Sequence, residues 1–170
     1  MIGWARGDTS DEFTDFASVL TPRLFRSALL LSGDWQLAED LVQTTLAKLF
    51  VSWGKVRKAD NREAYAQGTL TKTFLSYKRL RRDTETPTDT VVAQRAAPRR
   101  DLDQHLDLFA ALGTLDKEDR TLIVLRYSED WSVADTARQL HLSEAAVRTK
   151  SSRAMAKLRD ALAPVTGATT

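Results

Sequence analysis

Two stretches of the chain are rich in cationic side chains, and acidic stretches separate them. Residues 54–82 carry nine basic and two acidic side chains, and residues 141–163 carry five and two. By contrast, residues 1–53 carry four basic and seven acidic side chains, and residues 102–140 carry four and eight. Two cationic blocks predict two contacts with a polyanion such as nucleic acid, although two solvated helical faces would give the same pattern.

The first cationic block, residues 54–82, also contains aromatic side chains. Tyr65, Phe74 and Tyr77 are spaced among its lysines and arginines. Rings beside cations suit single-stranded DNA, because separated bases can stack on a ring while the cations hold the backbone. The alternative is that these rings fill a core, which we expect for at least half of them.

Residues 132–159 have the spacing of a helix-turn-helix motif. Ala137 is small where two helices must approach closely, His141 stands at the turn four residues later, and Val147 can pack back on the first helix. A recognition helix presents short polar and basic side chains to base edges and phosphates. An ordinary helical hairpin is the alternative. The predicted inner face consists of Val147, Ser151, Ala154, Leu158 and Leu162, and the predicted outward face of Ala145, Arg148, Thr149, Ser152 and Arg153.

The composition gives little support to catalysis, metal or cofactor binding, or disulfide formation. Without cysteine, the chain has no thiolate metal site, disulfide or catalytic thiol. His105 and His141 are too few for a histidine-rich metal site. We find no glycine-rich phosphate loop and no nucleophile–base pair, so we expect neither an enzyme nor a bound metal or cofactor. No apolar run reaches about 18 residues and no signal-peptide pattern opens the chain, which favours a cytoplasmic protein without membrane contact.

Helical periodicity dominates the sequence, and strand patterns are almost absent. The expected fold class is therefore all-α. Residues 83–101 contain two prolines and many Thr, Asp and Ala residues, and they interrupt the periodicity. This composition is typical of a flexible linker. The chain should form two small helical domains, at residues 8–82 and 102–163, on either side of it.

Several helix boundaries of the first domain follow from local patterns. Thr9 and Glu12 have the spacing of a capping box, which predicts a helix start. The pair at 21–22, Thr-Pro, predicts either a new helix or a kink, and Gly33 predicts a helix end. A further helix should cover residues 62–82, after a basic loop.

The helix expected from Trp35 to Trp53 is amphipathic, and Gly54 should end it. Its apolar half contains Ala38, Leu41, Val42, Leu46, Leu49, Phe50 and Trp53. Its polar half contains Glu39, Asp40, Gln43, Thr44 and Lys48.

In the second domain, a first helix should carry the apolar series that begins at Leu102. Asp116, Ser132 and Ser143 each precede a helical pattern and are expected to act as N-caps. Histidine tolerates a positive φ better than most residues, so His141 can form the turn before the last helix. Pro164 should end that helix.

Two long segments resemble a known family. LLLSGDWQLAEDLVQTTLAKLFVSWGKV and EAYAQGTLTKTFLSYKR resemble region 2 of extracytoplasmic-function RNA polymerase sigma factors. A further segment resembles their region 4: ALGTLDKEDRTLIVLRYSEDWSVADTARQLHLSEAAVRTKSSRAMAKLR. The residues at individual positions resemble those of small actinomycete sigma factors. The resemblance covers nearly the whole chain in the family's order, with a short linker in place of a region 3. It implies a sigma factor that binds core polymerase and directs it to promoters.

The resemblance also assigns roles to the two basic blocks. In region 2 it implies recognition of the −10 element and separation of its strands, through duplex and single-stranded DNA contacts. In region 4 it implies recognition of the −35 element. The −10 residues would be Lys55, Arg57, Lys58, Asn61, Arg62, Lys72, Tyr77, Lys78, Arg79, Arg81 and Arg82. The −35 residues would be Ala145, Arg148, Thr149, Lys150, Ser152 and Arg153.

For the polymerase, the resemblance implies contacts with the β′ clamp helices and the β flap. Glu39, Asp40 and Gln43 would bind the clamp helices. Whether an anti-sigma factor also binds the chain is left open.

The chain departs from the family's usual residues at a few positions. Lys72, Tyr77 and the pair at 67–68, Gln-Gly, replace residues common in region 2, which leaves the −10 preference open. His141 replaces a common turn glycine in region 4.

The sequence also permits other interpretations of the chain's function. A helix-turn-helix repressor or activator that binds duplex DNA would explain residues 132–159 but not the first domain. A polymerase-binding or anti-sigma type interaction protein would not need the basic and aromatic block at 54–82.

Overall fold

The computed structural model describes residues 5–82 and 105–163, and it describes side chains for 9–77 and 105–163. Every regular element in these ranges is helical, which confirms the all-α expectation. The helices divide into two compact units, so the two-domain organisation is also confirmed. The predicted linker lies outside the described residues, and the proposed domain boundaries stay a prediction. Within the described residues, no helix is long and apolar enough to cross a membrane.

The first unit consists of α1 (Ala5–Ser32), α2 (Trp35–Val51), the short α3 (Trp53–Val56) and α4 (Arg62–Arg82). Helices α1, α2 and α4 all pack against one another. Each of the three contributes one apolar face to a common core, which buries Leu20, Leu24, Leu31, Leu41, Leu49, Leu70 and Phe74. The faces turned away from this core are exposed to solvent.

Helix α1 is longer than predicted. It already includes Ala5, so the expected capping box at Thr9 and Glu12 is wrong. It also continues through Pro22, so no new helix starts there. Pro22 is exposed, and water can therefore reach the carbonyl that loses its helical donor. The predicted end at Gly33 is confirmed, since this residue adopts φ +66°.

The boundary between α2 and α3 differs by a few residues from the prediction. Helix α2 ends at Val51, and Gly54 lies inside α3 instead of ending the preceding helix. The break falls at Ser52, whose φ of −97° and ψ of 13° depart from helical values. Helix α4 starts at Arg62 as predicted, because Asn61 Oδ1 accepts a hydrogen bond from the Ala64 amide at 2.9 Å.

The second unit consists of α5 (Leu106–Gly113), α6 (Lys117–Ile123), a π-helical turn (Val124–Ser128), α7 (Val133–Leu140) and α8 (Glu144–Leu162). The three predicted N-caps are confirmed, and each accepts a hydrogen bond from an amide three residues later. The donor–acceptor distances are 2.8 Å at Asp116, 3.0 Å at Ser132 and 3.1 Å at Ser143. Leu102 and Pro164 lie outside the described residues.

Helices α7 and α8 form the predicted helix-turn-helix. Leu122 of α6, Ala137 and Val147 form one buried cluster, as the spacing required. His141 adopts φ 56° and ψ 41°, the left-handed conformation that a turn glycine would otherwise provide. Leu162 is 42% exposed, so its assignment to the inner face is wrong. The last buried residue of α8 is Leu158, and the final turn of the helix extends past the packed region.

The left-handed backbone at His141 predicts how substitutions there change stability. His141→Gly should raise the free energy of unfolding by about 0.5–1 kcal/mol, because glycine lacks the Cβ that disfavours this conformation. His141→Val should lower it by about 1 kcal/mol or more, since a β-branched side chain fits a positive φ poorly. Denaturant unfolding of the full chain measures both.

Ala134→Gly is the matched control for this pair. Ala134 is exposed within α7, where the backbone is helical, and glycine there should destabilise the protein by about 0.5–1 kcal/mol. The same residue type thus has opposite effects at two positions seven residues apart. If His141→Val were as stable as the wild type, the left-handed turn would not occur in solution.

Candidate nucleic-acid and polymerase interface

Helix α8 presents a polar and cationic face to solvent. Its buried side consists of Val147, Ser151, Ala154 and Leu158, each at most 7% exposed. The division of the helix into two faces therefore follows the prediction, apart from Leu162. The five residues predicted to point outward are all exposed: Ala145, Arg148, Thr149, Ser152 and Arg153.

Arg148 is already oriented by a neighbour on the same helix. Its Nη2 atom donates a hydrogen bond to Glu144 Oε2, one turn earlier, at 3.1 Å. Both side chains are more than half exposed, so water screens the pair and the pair contributes little to stability. The guanidinium can therefore exchange this carboxylate for a phosphate or a base edge at small cost.

Lys150 faces a different neighbour. Its Nζ atom lies 3.1 Å from Glu118 Oε1 on α6. The hydrogen bond to Glu118 raises the pKa of Lys150 above its usual value, and the surrounding carboxylates add to this effect. On the same side of α8, Lys157 Nζ lies 3.4 Å from Oδ2 of Asp119, a buried residue. Neither acidic partner was predicted from the sequence, because the local pattern indicated only a helix start within an acidic stretch.

A cation-lined cleft adjoins the exposed face of α8. It has a volume of about 280 Å³ and lies between the π-helical turn and α8. Arg126 and Tyr127 line it from the turn, and Arg148 and Arg159 line it from the helix. Tyr127 is 51% exposed, and the Arg126 guanidinium donates a hydrogen bond to the Trp131 carbonyl. The cationic surface of this unit is therefore wider than the recognition helix alone.

In the first unit, the basic loop between α3 and α4 is held by α1. Glu12 lies between two of the predicted DNA-binding cations, with Oε2 3.5 Å from Arg57 Nη2 and Oε1 3.5 Å from Arg62 Nη1. The Arg62 guanidinium also lies over the Trp53 ring, 5.8 Å from its centroid. Lys55 and Lys58, also predicted to bind DNA, and the cap residue Asn61 are exposed.

Helix α4 separates its aromatic side chains between core and surface. Phe74 is fully buried, whereas Tyr65 is 38% exposed and Tyr77 is half-buried. Lys72 of the same helix is exposed. The backbone is helical at Lys78, Arg79, Arg81 and Arg82, whose side chains lie outside the described set.

The unusual Gln67 of α4 has a structural explanation. It is 2% exposed, and its Nε2 atom donates a hydrogen bond to Ser27 Oγ of α1 at 3.2 Å. Gln67 therefore joins α4 to α1 within the core.

The polar face of α2 is exposed for most of its length. Glu39 and Gln43 are exposed and Asp40 is partly exposed. The Glu39 carboxylate accepts a hydrogen bond from Trp35 Nε1 at 3.0 Å. None of these three side chains is buried in the core, so all of them are available to a partner.

The end of α2 corrects the prediction for one residue. Phe50 was assigned to the apolar half of the helix but is 52% exposed, and Val51 after it is 85% exposed. Phe50 makes an edge-to-face contact with Phe13 of α1, with ring centroids 5.1 Å apart. Its other side is open, because it lies at the end of the helix.

Both units match known sequence families. Residues 18–84 match the Sigma-70 region 2 family, and residues 105–158 match the Sigma-70, region 4 family. Among curated proteins, the RNA polymerase sigma-E factor of Streptomyces coelicolor is 32% identical over 155 residues, which cover 89% of this chain and 86% of that protein. The sigma-E factor of Streptomyces avermitilis is 30% identical over 154 residues, which cover 89% and 85% of the two chains.

A solved structure is similar as well. The sigma factor RpoE from Bartonella quintana, in complex with the anti-sigma factor NepR, has a TM-score of 0.75 and 28% sequence identity. The match covers 89% of this chain and 96% of RpoE. Because the similarity spans both units in order, a helix-turn-helix regulator of the repressor type is not favoured. The chain belongs to the extracytoplasmic-function sigma factors, the sigma-70 type subunits that direct RNA polymerase to initiate transcription at promoters.

Proposed function

We propose that the chain divides promoter recognition between its two units and binds core polymerase chiefly through α2. The observation that carries this proposal is that each unit buries one face of its helices and exposes a polar or cationic face on the other side. The chain acts by binding, without a catalytic centre, metal or cofactor of its own. It works in the cytoplasm, where RNA polymerase and promoter DNA are found.

The exposed face of α2 binds the β′ clamp helices. Its first half offers Glu39, Asp40 and Gln43, which complement basic groups on a partner. Its end offers the apolar surface of Phe50 and Val51. A face with charge at one end and apolar area at the other fits a helical partner in one direction only, which gives the interface specificity.

Reversing the charges at positions 39 and 40 tests this interface. Glu39→Lys with Asp40→Lys should weaken binding to core polymerase by at least tenfold, because like charges would then face each other across the interface. The melting temperature should stay within a few degrees of the wild type, since exposed charges contribute little to stability. Titration of labelled protein with core polymerase measures the affinity.

Asp11→Lys with Asp15→Lys is the matched control. Both aspartates are exposed on α1, and the net charge changes by the same amount. This variant should bind core polymerase as the wild type does. Equal affinity of the 39/40 variant and the wild type would remove α2 from the interface.

The exposed face of α8 binds the −35 element in the major groove. Short side chains at 145, 149 and 152 permit close approach to base edges, and Arg148 and Arg153 provide charged donors. The adjoining cleft with Arg126 and Arg159 extends the cationic surface beside this face. The β flap of the polymerase binds elsewhere on the same unit.

Arg148 is the residue we expect to read a base. Arg148→Ala should cost about 1–3 kcal/mol in binding to the cognate −35 sequence within the holoenzyme, and less on a scrambled −35 sequence. Competition binding to the two duplexes measures the difference. Arg26→Ala, which removes an exposed arginine of the first unit, should change neither affinity. An equal loss on both duplexes would show a phosphate contact instead.

The basic loop and α4 bind the −10 element and keep its strands apart. Lys55 and Lys58 are exposed on the basic loop, and Lys72 is exposed on α4. Helix α4 also carries the exposed ring of Tyr65 and the half-buried ring of Tyr77. Cations beside rings favour a separated strand over a closed duplex. Each unit alone offers a limited cationic surface, so the free protein should bind duplex promoter weakly. Core polymerase would strengthen binding by engaging both units at once.

Replacing Lys55 and Lys58 by alanine separates strand opening from DNA binding. Initiation on a duplex promoter should fall by about tenfold, because the two cations would bind the backbone of the separated strand and so offset part of the free energy of opening. On a template with a pre-melted −10 bubble, much of the activity should return, since the free energy of opening is no longer required. Run-off transcription with both templates measures this. An equal defect on both templates would restrict the loop to binding.

Regulation by an anti-sigma factor is also part of this proposal. RpoE of Bartonella quintana, which is similar over most of both chains, is bound to the anti-sigma factor NepR. A partner of this class would block initiation by covering the exposed faces of α2 and of the second unit.

A further inference from the structure

Two lysines on one side of α8 bind two acidic residues of α6. Lys150 Nζ lies 3.1 Å from Glu118 Oε1, and Lys157 Nζ lies 3.4 Å from Asp119 Oδ2. The two lysines are seven residues apart, so they lie on the same side of α8 about two turns from each other. The two acids are adjacent at the start of α6. The pairs therefore join the helices at two points along the length of α8.

The side of α8 that carries these lysines borders the buried face. Lys150 lies between Val147 and Ala154 in the helical repeat, and both of these residues are 0% exposed. Arg148 and Ser152 are exposed and lie about 160° from Lys150 around the helix axis. A Lys150 amine that is bound to α6 is directed away from the face that we assign to DNA.

The buried face of α8 consists mostly of small or short side chains. Val147, Ser151 and Ala154 let α8 approach its neighbours closely. Contacts made by short side chains lie close to the helix axis and therefore resist rotation about it weakly. Contacts made by long side chains lie farther from the axis and resist the same rotation more strongly. A rotation of about 10° moves a side-chain tip at a radius of about 6 Å by about 1 Å. A hydrogen bond to a base edge does not survive such a shift.

We propose that Lys150 and Glu118 form, together with Lys157 and Asp119, an ionic clamp that fixes the rotation of α8 about its axis. Lys150 is then a positioning residue for −35 recognition and does not contact DNA. This inference rests on the proposed role of α8. Glu118 and Asp119 then contribute to promoter selection, although they are acidic residues in a unit that we propose to bind DNA.

Exchanging the two charges tests the clamp directly. Lys150→Glu should reduce the preference of the holoenzyme for cognate over scrambled −35 DNA by about tenfold, because the introduced carboxylate would repel the acids of α6. Glu118→Lys should also reduce this ratio, by repelling Lys150. The double variant, Glu118→Lys with Lys150→Glu, keeps the net charge of the wild type and restores the pair in reverse. Its ratio should return to within about twofold of the wild type.

Two milder substitutions at position 150 distinguish loss of the ion pair from loss of folding. Lys150→Gln removes the pair without adding repulsion and should lower the ratio several-fold. Lys150→Arg keeps the pair and should retain the wild-type ratio. Thermal unfolding of each full-length variant shows whether it is folded. The ratio is the decisive quantity, because a general loss of stability would lower binding to both duplexes together.

The outcomes separate the clamp from a DNA contact. If the double variant is as defective as Lys150→Glu, and the loss is equal on both duplexes, Lys150 binds a phosphate and the clamp is wrong. If Lys150→Glu and Lys150→Gln both keep the wild-type ratio, the clamp is also wrong. If the wild-type holoenzyme does not distinguish cognate from scrambled −35 DNA, the proposed function of α8 fails instead, whatever the variants do.

Discussion

Burial of one face of each long helix is the constraint on which the other features of this chain depend. Each unit has only a few helices, so a helix can meet its neighbours on one side and must leave the other side in water. In α2, for example, Leu41 and Leu49 are at most 1% exposed, while Glu39 and Gln43 lie on the outer side. The residues that fold the unit and the exposed residues that we propose to bind its partners are therefore different sets. Exposed residues can change without loss of the core.

Acidic residues organise the cationic surfaces rather than simply opposing them. Glu12 lies between Arg57 and Arg62, and Glu144 accepts a hydrogen bond from Arg148. Each of these pairs is solvent-exposed, so it adds little to the free energy of folding. What the pairs restrict is side-chain direction, because an arginine or lysine held at one carboxylate samples fewer orientations. A DNA-binding surface gains from such restriction, since fewer rotamers have to be ordered when the complex forms.

The structure differs from the predictions made from sequence at several positions, and each difference has a physical reason. A capping box at Thr9 was plausible locally, yet α1 extends past it, because packing against α2 and α4 stabilises a long helix regardless of one favourable start signal. Phe50 matched the apolar face of α2 by its angle, but angle alone does not show where the neighbouring helices end. The same holds for Leu162, whose turn of α8 continues beyond its neighbours.

The features that follow from local sequence are those that depend on neighbours within a few residues. The caps at Asp116, Ser132 and Ser143 and the left-handed turn at His141 each involve atoms no more than four residues apart, so the local pattern was sufficient. The order of two specific motifs was likewise enough to indicate the family. Which cations have acidic partners, and which apolar side chains stay exposed, depends instead on how the helices pack. Lys157 and Asp119 are 38 residues apart, and no periodicity relates them. Their contact depends on how α6 and α8 pack, which is set by the shapes of many side chains together and not by any one stretch of sequence.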